Sequence, residues 1–73
     1  MALIRKISIG PDYKTAMHYS VGQIVYGDNK IVDIYETAEG NYVIMIEKGG
    51  EVKQWKTFNK NVAISTEDNI DFD

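Results

Sequence analysis

Two apolar-rich runs, 42–46 and 52–58, flank the tetrad Lys48-Gly49-Gly50-Glu51. Gly-Gly between two such runs predicts a hairpin with a two-residue loop, because both loop positions need positive φ. A two-residue loop also sets register. Lys48 should then face Glu51, Ile46 face Lys53, Ile44 face Trp55 and Tyr42 face Thr57. Side chains alternate across a strand. One face therefore collects Tyr42, Ile44, Ile46 and Trp55, and the other Val43, Met45, Val52 and Phe58.

Upstream, Thr37-Ala38-Glu39-Gly40-Asn41 reads as a longer turn. A five-residue loop there pairs Ile34 with Ile44 and Val32 with Ile46. Val32 and Ile34 then join Trp55 on the core face, and Tyr35 and Ile31 fall on the other. Gly27-Asp28-Asn29 marks another tight turn, between a strand near Gln23-Ile24-Val25-Tyr26 and one over 31–36. Asn59-Lys60-Asn61 marks a further turn before the short strand Val62-Ala63-Ile64-Ser65. The acidic end, with Ile70 and Phe72 two apart, reads as a frayed terminus or a docked strand.

Residues 3–9 alternate weakly and suit a strand, which Gly10-Pro11 breaks. The stretch after Pro11 fits one or two helical turns, or a loop leading into an extended 17–21. Together these elements predict a single domain over residues 1–73. It is mainly β, a small barrel or antiparallel meander with an N-terminal strand and loop extension.

The segments Val21-Gly22-Gln23-Ile24-Val25, Lys30-Ile31-Val32-Asp33-Ile34 and Gly40-Asn41-Tyr42-Val43-Ile44 resemble the opening of SH3-like and Tudor-like small barrels. The resemblance covers residues 20–66 and rests on spacing. It implies a binding module for peptides, modified side chains or nucleic acids, a fold that rarely catalyses. The stretch from Ile7-Ser8-Ile9-Gly10-Pro11 through Asp12-Tyr13-Lys14-Thr15-Ala16-Met17-His18-Tyr19 to Val21-Gly22-Gln23 is similar to the start of small uncharacterised proteins encoded by tailed bacteriophages. That likeness implies an accessory viral protein acting inside a bacterium, for instance as an inhibitor of host defence.

Length limits what such a chain can do. With 73 residues and no cysteine, the core is thin and no disulfide can staple it. Self-association is the remaining common remedy, so a homo-oligomer is expected. The single histidine, His18, cannot build a histidine-based zinc site alone. No apolar run reaches signal-peptide or membrane-span length, and a cytoplasmic location is the simplest expectation.

The net charge is −3, which argues against long nucleic acid as a general partner. Charge is unevenly spread, however. Residues 48–60 are net basic through Lys48, Lys53, Lys56 and Lys60, and residues 61–73 carry only acids. No phosphate-binding loop, dinucleotide fingerprint, nucleophile elbow or metal-ligand spacing is present. The expectation is therefore a protein without catalytic residues, cofactor or metal.

One stretch joins cations to aromatic rings: Arg5, Lys6, Tyr13, Lys14, His18 and Tyr19. Cations can meet phosphates while a ring stacks on a base. These residues are the candidate site for a small anionic ligand such as a nucleotide signal, which the protein would sequester unchanged. The plainer reading packs Tyr19 and Met17 in the core and leaves Arg5, Lys6 and Lys14 solvated. Trp55 likewise reads as core, the tyrosines Tyr26, Tyr35 and Tyr42 as core rim, and the second basic patch as a solvated face. The alternative function is an interaction module that blocks or adapts a host protein. Its surface would be the half-apolar second face, Tyr35, Val43, Met45, Val52 and Phe58. A nucleic-acid-binding barrel is a further alternative.

Overall fold

Gly49 and Gly50 adopt φ values of 62° and 88°, and the hairpin they close has Lys48 opposite Glu51 and Ile46 opposite Lys53. The computed structural model describes residues 3–69. Its strands are β1 (Leu3–Ile9), β2 (Met17–Ser20), β3 (Ile24–Val25), β4 (Asn29–Glu36), β5 (Asn41–Lys48), β6 (Glu51–Asn59) and β7 (Ala63–Asn69). A short 3-10 turn, Lys60–Val62, precedes β7. Among the described residues there is no α-helix.

The fold is mainly β and wholly antiparallel in its pairings. A four-stranded meander in the order β3-β4-β5-β6 faces a three-stranded sheet in the order β2-β1-β7. The stretch after Pro11 is a turn, not a helix. Asp12 Oδ1 accepts from the backbone N–H groups of Lys14 (3.0 Å) and Thr15 (3.1 Å), and the chain then extends into β2. Gly10 permits this return: a Cβ there would lie 2.8 Å from Ala16 Cα.

Two bulges correct the predicted register. In β4 the pairing runs Ile34 with Ile44 and Asp33 with Met45, then Ile31 with Ile46, so Val32 is the extra residue. In β6 it runs Met45 with Gln54, then Ile44 with Lys56 and Tyr42 with Phe58, so Trp55 is the extra residue. An inserted residue shifts everything beyond it to the opposite face. Ile31 thus replaces Val32 in the core, and Phe58 moves to the core face. Both bulges lie beside Met45, one on each side of β5. Bulges bend and twist a strand, and this pair curls the four-stranded sheet into half a barrel.

One core spans both sheets. Ile7, Ile9 and Tyr19 come from the three-stranded sheet, and Ile31, Ile34, Tyr42, Ile44 and Ile46 from the half-barrel. Ile31, Ile34 and Ile44 are fully buried, each contributing about 1.5–3 kcal/mol over an exposed position. Residues 21–23 carry the chain from one sheet to the other. The Val21 N–H donates to the Arg5 carbonyl at 2.8 Å and the Gly22 N–H to the Ile31 carbonyl at 2.7 Å. The acidic end continues as β7 against β1, with Leu3 opposite Asn69. Ile70 and Phe72 lie outside the described residues.

Candidate functional site

The structure divides the basic-aromatic stretch between two faces. Ile7 pairs with Tyr19 and Ser8 with His18 across β1 and β2. Successive strand residues point to opposite sides, so Tyr19 turns inward and is 5% exposed, while His18 turns outward. Ser8 Oγ and His18 Nδ1 are hydrogen-bonded at 2.8 Å. The Tyr13 ring lies over His18 with centroids 4.8 Å apart. Lys6 faces Glu67, Nζ to Oε1 3.8 Å. Arg5 is exposed at the irregularity between β1 and β7, and Lys14 is exposed on the turn. Lys6, Tyr13 and His18 therefore share the outer face, and Tyr19 is walled off from them by the sheet itself.

A groove of about 110 Å³ runs over that outer face, lined by Lys6, Ser8, Tyr13, Ser65, Thr66 and Glu67. It suits an anion poorly. Its amine already faces a carboxylate, and its walls are small hydroxyls with one ring.

A larger cleft, about 300 Å³, opens on the inner side of the half-barrel, where β2 and β3 approach β6. Met17, Tyr19, Val25, Tyr26, Trp55 and Lys56 line it. Trp55 enters this cleft from the bulge in β6. Trp55 and Lys56 together oppose Ile44, and the half-buried indole packs against the core instead of being sealed within it. Tyr19 stands edge-on to the indole at 5.5 Å and 88°, and Tyr26 does the same at 5.6 Å and 87°. Phe58 backs Tyr19 in a stacked arrangement at 6.3 Å.

Tyr26 differs from the rim position predicted for it. It is 74% exposed, and its φ is 49°. A bulky non-glycine residue in that region is an outlier costing on the order of 1–3 kcal/mol. The local turn holds it there, with Asp28 N–H (3.0 Å) and Asn29 Nδ2 (3.3 Å) both donating to the Tyr26 carbonyl. Met17, expected in the core, is also open, at 59% exposure. By contrast Tyr42 is buried, as a rim or core residue should be.

Lys56 sets the electrostatics of the cleft. Its Nζ lies 4.9 Å from the centre of the Trp55 ring. Its neighbours on the basic segment are differently engaged: Lys48 Nζ faces Asp28 at 3.6 Å and Lys60 Nζ faces Glu36 at 3.3 Å. Among the described residues neither Lys53 nor Lys56 belongs to an ion pair. Burial, and to a lesser degree the Tyr26 phenol, push the Tyr19 hydroxyl above the ordinary tyrosine value. Tyr19 is thus a neutral wall at any physiological pH.

Among the described residues no group of three or more His, Cys, Asp or Glu side chains is placed to hold a metal. No described helix is long and apolar enough to cross a membrane. Comparison with known proteins finds no matching family model, curated protein or solved structure.

Proposed function

We propose that the protein is a non-catalytic binding protein whose aromatic cleft takes a small planar anionic ligand of the nucleotide type. The observation that carries this reading is Tyr26, held exposed and in a strained backbone conformation against Trp55. Backbone strain of this kind concentrates where a side chain must be presented to a ligand. The cleft volume falls at the lower end of the range for small-molecule sites.

Lys56 selects the sign of the ligand. An aromatic cleft alone also suits a quaternary ammonium group. Here an ammonium already occupies the indole face and repels a second cation. A base can stack against the exposed Tyr26 ring, worth about 1–3 kcal/mol, while its phosphate meets Lys56. Such a protein withdraws its ligand from solution without changing it. That is the action expected of a bacteriophage-encoded inhibitor directed at a nucleotide signal of host defence.

The host-protein reading keeps the exposed Tyr35 and Val52 on its surface, but the bulge in β6 narrows that surface. Phe58 leaves the second face for the core side, and Val43 on that face is already buried. Calorimetric titration with a panel of nucleoside monophosphates and cyclic dinucleotides tests the proposal. Saturable heat with at least one of them, and none with tetramethylammonium, is the expected result. A silent panel removes the nucleotide reading.

A further inference from the structure

We propose that the protein self-associates by pairing the free edge of β6 in one copy with the free edge of β7 in another. The two sheets leave β2, β3, β6 and β7 as edges among the described residues. An unpaired edge presents a row of backbone donors and acceptors to any strand that can reach it. Edges of two residues (β3) and four (β2) are too short to template a lasting partner. β6 has nine residues and β7 has seven. Although they are consecutive in the chain, they lie in different sheets, so neither satisfies the other within one molecule.

Charge chooses among the possible pairings. β6 carries Lys53 and Lys56 against Glu51, and Lys60 follows it; β7 carries Glu67 and Asp68 and no cation. Two β6 edges brought together join two net-basic strands, and two β7 edges join two acidic ones. Like charges facing each other across a strand pair destabilise it. By net charge, β6 against β7 is the pairing that joins opposite signs. Lysines on an edge are also a common guard against indiscriminate pairing, and here they leave open an acidic strand as the permitted partner. The arrangement is head-to-tail in its contacts. It closes either as a two-fold dimer with two identical junctions or as a larger ring. It also supplies the added burial that a chain of this length needs, and it brings a second copy beside Trp55 and Lys56.

The absence of native cysteine makes the test direct. Thr57 in β6 and Ser65 in β7 are both exposed. Thr57→Cys and Ser65→Cys chains are prepared separately, mixed, and treated with a short bis-maleimide. The mixed cross-link, identified by mass, should dominate over the product from either variant alone. Light scattering of the unaltered protein should give at least twice the 8.3 kDa of one chain, falling as salt rises. A single-chain mass throughout a concentration series overturns the proposal. So do cross-links that form equally well within one variant. Neither readout involves the ligand, so failure here leaves the cleft untouched.

Discussion

The exposed Tyr26 ring stands edge-on to the Trp55 indole, 5.6 Å between centroids and 87° between planes, with a backbone φ of 49°. Asparagine tolerates that conformation far better than tyrosine. Tyr26→Asn relieves strain of about 1–3 kcal/mol and forfeits an aromatic contact of about 0.5–1.5 kcal/mol. The two nearly cancel. Urea unfolding should therefore show stability unchanged or raised by about 1 kcal/mol, while nucleotide affinity falls about tenfold or more. A large loss of stability would mean that Tyr26 is a structural residue.

Lys56→Gln keeps the length and most of the packing of the side chain and removes its charge. The variant should bind a nucleotide more weakly and the corresponding nucleoside about equally well. Its affinity should also lose most of its salt dependence, since charge interactions are screened by salt. Calorimetry at two ionic strengths reads both effects. An equal loss for nucleoside and nucleotide would assign Lys56 a packing role only.

The core makes a contrast between two isoleucines. Ile44 is fully buried at the centre of β5, and Ile24 is 56% exposed on β3. Ile44→Ala should cost about 2–5 kcal/mol, and in a marginal small domain that can unfold the chain. Ile44→Val, at about 0.5–1.5 kcal/mol, is the measurable form. Ile24→Ala should stay within about 0.5 kcal/mol. Thermal melts of the two milder variants rank them.

Tyr19 gives the alkaline limit. Its hydroxyl ionises above the ordinary value in the folded chain and near the usual tyrosine value of about 10 in the unfolded one. Above about pH 10 the unfolded state therefore releases this proton first, and stability falls with rising pH. Below that the contribution is fully present. Tyr19→Phe should flatten the alkaline slope of stability against pH, measured by urea melts across that range.

Much of the sheet was legible because glycine turns announce themselves. Gly49-Gly50 gave the correct pairing of Lys48 with Glu51, and the turn at Thr37 to Asn41 gave that of Ile34 with Ile44. The bulges were not legible. Val32 and Trp55 are ordinary strand residues, and nothing in their type marks one as unpaired. Ile31 and Val32 are both apolar and branched, so either could have faced inward. The side chains of the basic-aromatic stretch part for a related reason. With residues 11–19 open between helix and strand, His18 and Tyr19 could be grouped; once β2 is a strand, adjacent residues part. Tyr26 and Trp55 meet across strands far apart in the chain, a contact that no local pattern records.

A 15N–1H correlation spectrum recorded while adenosine monophosphate is added tests the central claim most directly, because the chain has a single indole N–H. Binding in the cleft moves the Trp55 indole signal together with the amides of Tyr26 and Lys56, and leaves Tyr13, Lys14 and His18 in place. Shifts confined to Tyr13, Lys14 and His18, or no shifts with any nucleotide, would contradict it.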